Sequence, residues 1–137
     1  MKWSVFILAY ILQYFAVSTK PHNIPPKHPE TIVFRNYTPV ELLPYNGKDN
    51  PRILIGVNGS VYDVSQGSNF YGPGGPYANF AGHDASRGLA KNSFDADMMV
   101  DPDGPIDKLE DLAEDDWESL REWESLFARK YLLVGKL

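Results

Sequence analysis

The sequence predicts an α+β fold, a small sheet with short helices packed against it, preceded by an N-terminal apolar helix. Three observations carry this expectation. Two β-rich runs, Ile53-Leu54-Ile55-Gly56-Val57 and Ser60-Val61-Tyr62-Asp63-Val64, are joined by Asn58-Gly59, the dipeptide whose backbone freedom suits a two-residue hairpin turn. Thr38-Pro39-Val40-Glu41 combines a Thr N-cap, Pro at the first helical position and Glu at the third, a capping box. Near the end, Trp117, Leu120, Trp123 and Phe127 recur at spacings that place them on one helical face, and Leu132-Leu133-Val134 follows as a closing strand.

In chain order, the first element is apolar. Trp3 to Val17 read WSVFILAYILQYFAV, interrupted only by Ser4 and Gln13. The run lies between the length of a signal-peptide core and that of a spanning helix. Ala16-Val17-Ser18 offers a small-x-small cleavage site, so a removed signal peptide is the alternative. Tyr10, Gln13 and Tyr14 suit an anchor near an interface better than a signal core. Lys20, Lys27 and Arg35 outnumber the single Lys2 before the run, so the positive-inside rule directs the C-terminal part to the cytosol. Residues 1–19 are accordingly read as a membrane anchor.

Residues 20–30 (KPHNIPPKHPE) hold four prolines and form an extended linker; His22 and His28 are read as solvated there. The folded domain spans 31–137. Ile32-Val33-Phe34 is expected to be a strand, and the capped helix should run to about Tyr45, before Asn46-Gly47. Asp84 should cap a helix from Ala85 to about Ala90, and the last helix should span about Asp115 to Lys130.

Composition limits function. The chain has 137 residues, a net charge of −5 and a pI near 5.1, so nucleic acid is an unsuitable partner. It has no cysteine, which excludes thiolate metal sites and fits a reducing compartment. From Asp95 to Asp116 there are ten carboxylates against one lysine. This run reads as a solvated face or as a docking surface for a basic partner, and its spacing does not match a calcium loop.

The stretch Gly67 to Gly82 is glycine-rich and aromatic, with Tyr71, Tyr77 and Phe80 projecting from a stiff Gly/Pro frame. Read alone, it is a tight corner of aromatic core residues. It does not suit phosphate, because the G-x-G-x-x-G spacing and a following lysine are missing and the prolines remove backbone donors. No nucleophile elbow, metal-ligand cluster or His–carboxylate pair supports catalysis.

Phe70-Tyr71-Gly72-Pro73-Gly74-Gly75-Pro76-Tyr77, with Phe80-Ala81-Gly82-His83-Asp84-Ala85-Ser86-Arg87-Gly88-Leu89-Ala90, resembles the membrane-associated progesterone receptor branch of the cytochrome-b5-like haem/steroid-binding fold. Tyr37 to Leu42, Val61-Tyr62-Asp63-Val64, Trp123-Glu124, Lys130-Tyr131 and Val134 to Leu137 extend the resemblance over 31–137; Asn79 to Leu89 and Asn92 to Asp95 are nearest to fungal members. True cytochrome b5 carries His-Pro-Gly-Gly where this chain has Gly72-Pro73-Gly74-Gly75, and His83 is the last histidine, so bis-histidine ligation and electron transfer are disfavoured.

The resemblance implies haem held by one axial tyrosine, Tyr77, supported by Tyr71, Lys130 and Tyr131. Lys130 has a plain alternative as a helix-end cation favoured by the dipole. Asp84 and Arg87 read as an N-cap and a structural charge at the pocket rim, and His83 as exposed. The resemblance further implies a non-enzymatic protein of the endoplasmic reticulum membrane, facing the cytosol. It would support sterol synthesis by assisting haem-thiolate monooxygenases such as sterol demethylase. The open haem face could pair with a second copy, giving a homodimer, or with another protein, and steroid binding is a further property of the fold. The alternatives are a secreted or lumenal haem- or steroid-binding factor, for which Asn36-Tyr37-Thr38 and Asn58-Gly59-Ser60 are sequons, and a cytochrome-b5-type electron carrier.

Overall fold

The computed structural model describes residues 6–13 and 33–137, and the chain divides into two units, Met1–Val33 and Phe34–Leu137. In the first, residues 6–13 form helix α1. The rest of the anchor expected over 1–19, and the linker expected over 20–30, lie outside the described residues. Among the described residues no helix is long and apolar enough to cross a membrane.

The second unit is built on a four-stranded sheet of β1 (Arg35–Asn36), β2 (Leu54–Val57), β3 (Ser60–Asp63) and β4 (Leu132–Lys136), in the order β1-β4-β3-β2. β2 and β3 form the expected hairpin, with Asn58 and Gly59 both at positive φ (48° and 78°), as a primed two-residue turn requires. β4 runs antiparallel to β3 and parallel to β1. Between Val61↔Gly135 and Tyr62↔Leu133 the register skips Val134, so β4 carries a bulge there, and Val134 is fully buried.

The first strand lies later than the expected Ile32-Val33-Phe34. Val33 and Phe34 are exposed outside any strand, and Ile32 falls outside the described residues. Pairing with the end of β4, Arg35 with Gly135 and Asn36 with Lys136, decides where β1 forms; local β-propensity does not.

Helix α2 (Pro39–Leu42) begins at the capping box. Thr38 N donates to Glu41 at 2.8 Å and Glu41 N donates to the Thr38 hydroxyl at 3.3 Å. It stops short of the expected Tyr45, because Pro44 has no N–H to extend the ladder. Helix α3 (Ser68–Tyr71) and α4 (Ser86–Ala90) are short, and α5 (Glu114–Lys130) is the long one. Asp116 accepts from Ala113 N at 3.0 Å at the start of α5; Ala113 has no side-chain oxygen to reciprocate. The expected face is buried at Leu120, Trp123 and Phe127, joined by Leu126, while Trp117 is half-buried. Phe127 reaches the Tyr62 ring on β3, with centroids 5.8 Å apart, which seats α5 against the sheet.

The outer edge of β2 is occupied by residues 82–85. Gly82 N donates to Leu54 O (2.8 Å), Gly56 N to His83 O (2.9 Å) and Ala85 N to Gly56 O (2.8 Å). These bonds satisfy an edge that would otherwise be open, and they fix where the Gly/Pro/aromatic corner enters and leaves the sheet. Gly82 sits at φ 73°, and a Cβ there would lie 2.9 Å from Leu43 O and 3.0 Å from Leu42 O, so only glycine fits between the loop and α2.

Candidate functional site

The corner from α3 to residue 81 closes on itself. Gly72 N donates to Ser68 O, Gly75 N to Gly72 O, and Tyr77 N to Phe70 O, each at 2.9 Å. The last bond folds Gly72–Pro76 into a loop that returns Tyr77 beside Tyr71. Gly75 is required for this closure, because a Cβ would lie 2.5 Å from Phe70 O. The Tyr71 and Tyr77 rings then stand 6.3 Å apart at 45°.

Tyr131 arrives from the other direction, as the first residue after α5. Its ring is edge-on to Tyr71 with centroids 6.3 Å apart, and its hydroxyl lies against the backbone of Gly67, where a Cβ would come within 2.5 Å of Oη. Phe127, one turn earlier on α5, packs on both Tyr71 (6.0 Å) and Tyr131 (5.4 Å). Tyr77 is flanked by Phe80, stacked at 6.2 Å, and by Phe94, edge-on at 5.9 Å. Three of the four positions singled out in the sequence therefore share one aromatic cluster with Tyr71 at its centre. The fourth, Lys130, is half-buried beside it, with Nζ 5.5 Å from the ring centroids of both Phe70 and Tyr131.

Tyr71, Tyr77 and Tyr131 are all buried. Burial raises the phenol pKa of Tyr77, and that of Tyr131 more strongly, by penalising the anion. At neutral pH these groups are therefore neutral phenols unless a cation sits against the oxygen. Among the described residues no group of three or more His, Cys, Asp or Glu could hold a metal ion. His83 Nδ1 lies 2.9 Å from Ala81 O and donates to it; His22 and His28 lie outside the described residues. The oxygen donors the cluster offers are phenols, hard ligands suited to ferric iron, set among flat aromatic faces with an ammonium group at hand for a carboxylate. This donor set fits a flat iron-bearing macrocycle with acidic substituents better than it fits zinc or calcium.

Asp84 and Arg87 serve the frame. Asp84 does not cap α4 in the simplest way, because the helix starts at Ser86 with Ala85 as N-cap; its carboxylate accepts from Ser86 N (3.1 Å) and Ser86 Oγ (2.5 Å). Ser86 Oγ in turn accepts from Asn58 N at 2.8 Å, tying the loop to the hairpin turn, and burial raises the Asp84 pKa. Arg87 makes two forked ion pairs, Nε and Nη2 to Asp107 (2.6 and 2.9 Å) and Nη1 and Nη2 to Asp111 (2.9 and 2.8 Å). Its pKa rises and those of both aspartates fall, chiefly through these bonds, with Asp111 held at about 2. Three features had no signal in the sequence: Phe94 as a wall of Tyr77, Asn79 Nδ2 donating to Phe94 O at 2.9 Å, and part of the acidic run serving Arg87.

Three comparisons bear on this site. Residues 38–137 match the family described as "Cytochrome b5-like Heme/Steroid binding domain". A fission-yeast protein (Schizosaccharomyces pombe) named cytochrome P450 regulator dap1 is 50% identical over 113 residues, covering 82% of this chain and 66% of its own length. Human membrane-associated progesterone receptor component 2 is 52% identical over 103 residues, covering 75% of this chain and 45% of its own, so the chain spans less than two thirds of these relatives. A solved Arabidopsis thaliana structure, described as having a cytochrome b5 like fold, superposes with a TM-score of 0.64 at 38% identity, over 82% of this chain and 97% of that one.

Proposed function

The chain belongs to the cytochrome b5-like heme/steroid-binding family, in its membrane-associated progesterone receptor branch, and from that premise we propose that it is a membrane-anchored haem-binding regulator of haem-thiolate monooxygenases rather than an enzyme itself. The observation that carries the proposal is the gathering of Tyr71, Tyr77 and Tyr131 into one buried cluster, beside a loop in which Gly72 stands where an axial histidine would be needed.

In this reading Tyr77 would hold the haem iron through its phenol oxygen, and Lys130 would pair with a carboxylate of the haem. Tyr71 and Tyr131 hold the Tyr77 phenol and shape the pocket. Bound haem would supply a ferric centre, which an anionic oxygen donor keeps oxidised. Two effects oppose each other at Tyr77: burial disfavours its ionisation, and the iron charge favours it. A second copy or the monooxygenase would cover whatever part of a bound haem the cluster leaves exposed.

The relatives support the rest: one is named a cytochrome P450 regulator, and others are named membrane-associated progesterone receptor components or membrane steroid-binding proteins. The finer assignment places residues 1–19 as the anchor, 20–30 as the linker and 31–137 in the cytosol at the endoplasmic reticulum. Sterol synthesis, through an enzyme such as sterol demethylase, is the process assisted.

The test is Tyr77→Phe, which removes one oxygen from an aromatic cluster and should leave the fold intact. Haem titration followed by absorbance should show binding abolished, while Tyr71→Phe and Lys130→Ala weaken it by about 10-fold to 100-fold, as supporting groups do. Wild-type affinity and spectrum in Tyr77→Phe would refute the ligand. Rapid reduction of the bound haem by the monooxygenase's own reductase, with electron delivery matching turnover, would replace the regulator by an electron carrier.

A further inference from the structure

The dipeptide Asn-Gly occurs twice in this chain, at Asn46-Gly47 and Asn58-Gly59. It is the pair most prone to spontaneous loss of ammonia, because glycine has no side chain to block the approach of its main-chain nitrogen to the preceding amide carbon. The fold treats the two sites differently.

Asn58 and Gly59 are both exposed at the tip of the β2–β3 hairpin, and a Cβ on Gly59 would meet nothing within 4 Å. Among the described residues Gly59 N donates no hydrogen bond, and the Asn58 side chain makes a single one, from Nδ2 to Glu124 Oε2 on α5 at 3.0 Å. Asn46 and Gly47 are half-buried. Asn46 Oδ1 accepts from Lys48 N at 2.9 Å and from Asp49 N at 2.8 Å, and its Nδ2 donates to Asp49 Oδ2 at 2.8 Å. A Cβ on Gly47 would lie 3.0 Å from Ile53 and 3.2 Å from Pro73. Asn46 is therefore pinned and its glycine crowded, while Asn58 is held by one bond beside an open glycine.

The hairpin tip is also a junction. Asn58 N donates to Ser86 Oγ on α4 at 2.8 Å, and Leu137 N donates to Gly59 O at 3.0 Å. Chemistry at position 58 thus reaches α4, α5 and the residue after β4 together.

We propose that Asn58 is a self-modification site, whose slow deamidation loosens the hairpin tip from α5, with Glu124 as its restraint. The Gly59 nitrogen gives up its proton and bonds Asn58 Cγ. The Cγ–Nδ2 bond breaks, the amide group leaves with that proton as ammonia, and a five-membered imide remains. Water then opens the ring. Cleavage at Cγ leaves an aspartate at position 58; cleavage at the Asn58 main-chain carbonyl leaves an isoaspartate, with the main chain running through Cβ. Either product sets a carboxylate against Glu124 where an N–H donor stood, so a hydrogen bond becomes a like-charge contact. The isoaspartate also adds a main-chain atom to a turn whose φ values of 48° and 78° hold Val57 opposite Ser60. None of this involves haem, so it stands or falls separately from the Tyr77 assignment.

The test ages the full chain, held in detergent, in mildly alkaline buffer at physiological temperature. Positions 46 and 58 are followed by peptide mapping, and isoaspartate is counted by enzymatic methylation. Position 58 should convert about tenfold faster than position 46, the ratio that about 1.4 kcal/mol of extra restraint on Asn46 produces. In concentrated urea the two should convert at like rates. Glu124→Ala should speed conversion at 58 about threefold or more and leave 46 unchanged. Asn58→Asp should be less resistant to urea than wild type, and adding Glu124→Gln should restore resistance, because an amide can donate to the new carboxylate. Conversion at 46 level with or ahead of 58 in the folded chain would overturn the proposal. So would the same imbalance in urea, an unchanged rate at 58 in Glu124→Ala, or an Asn58→Asp chain as stable as wild type.

Discussion

Replacing Arg87 by glutamine should destabilise the domain by about 2 kcal/mol, nearly all of it through Asp107. The structure separates the two partners of Arg87: the Asp107 side chain is 17% exposed and that of Arg87 22%, while Asp111 is 69% exposed. The Asp107 bonds are charge-assisted and mostly shielded from water, and losing such bonds costs about 1.5–3 kcal/mol, part of it from leaving a carboxylate covered and unanswered. The Asp111 pair is open to solvent and adds little.

Urea denaturation of Arg87→Gln, Asp107→Asn and Asp111→Asn measures this directly. The first two should fall together and the third should stay near wild type. A second signature is pH. Both aspartates have folded pKa values below their unfolded values, so their contribution is present above about pH 4 and is lost as pH falls through the folded values. Wild type should lose stability between about pH 4 and 2, and Arg87→Gln should lose less over that window. A cost below about 0.5 kcal/mol for Arg87→Gln, or a larger effect at Asp111 than at Asp107, would refute the reasoning.

Gly135→Ala should cost about 2–3 kcal/mol in the same assay, because a Cβ there collides with Arg35 O and lies 2.7 Å from the Tyr37 ring, forcing β1 away from β4; Gly59→Ala, with nothing near its Cβ at φ 78°, should cost about 1 kcal/mol, and equal costs would contradict the packing. The buried phenols of Tyr77 and Tyr131 have raised pKa values, so their contribution is complete below about pH 10 and is lost as pH rises through the folded values. Ultraviolet titration at the phenolate band should show tyrosines ionising late, one fewer in Tyr131→Phe; ordinary titration of every tyrosine in the folded protein would contradict this. In cells the tagged protein should resist carbonate extraction, and protease added to intact microsomes should digest the 31–137 domain. Glycosylation at Asn58, or a soluble form beginning near Thr19, would place the protein in the secretory pathway.

What the sequence determined by itself is what short-range chemistry controls. Asn58-Gly59 can adopt positive φ at both positions, so the β2–β3 hairpin was readable from two residues and their flanks. The capping box of α2 closes over three residues, and the apolar face of α5 repeats within one or two turns. The dense motif from Phe70 to Ala90 identified the family for the same reason: closing the corner so that Tyr77 returns to Tyr71 needs glycine where a side chain would strike Phe70 O.

What only the tertiary structure decided are placements between residues far apart in the chain. Strand β1 lies at Arg35–Asn36 because β4, a hundred residues later, offers its pairing there, against the stronger β-propensity of the preceding apolar residues. Tyr131 joins Tyr71 because α5 ends beside Gly67, and Phe94 walls Tyr77 because Asn79 holds its carbonyl. The acidic run looked uniform in sequence, yet folding spends Asp107 and Asp111 on Arg87, Asp116 on Lys91 and Glu114 on Arg121. A carboxylate's role follows from which cation the fold brings within hydrogen-bonding distance, and that information lies in the packing of distant segments rather than in its neighbours along the chain.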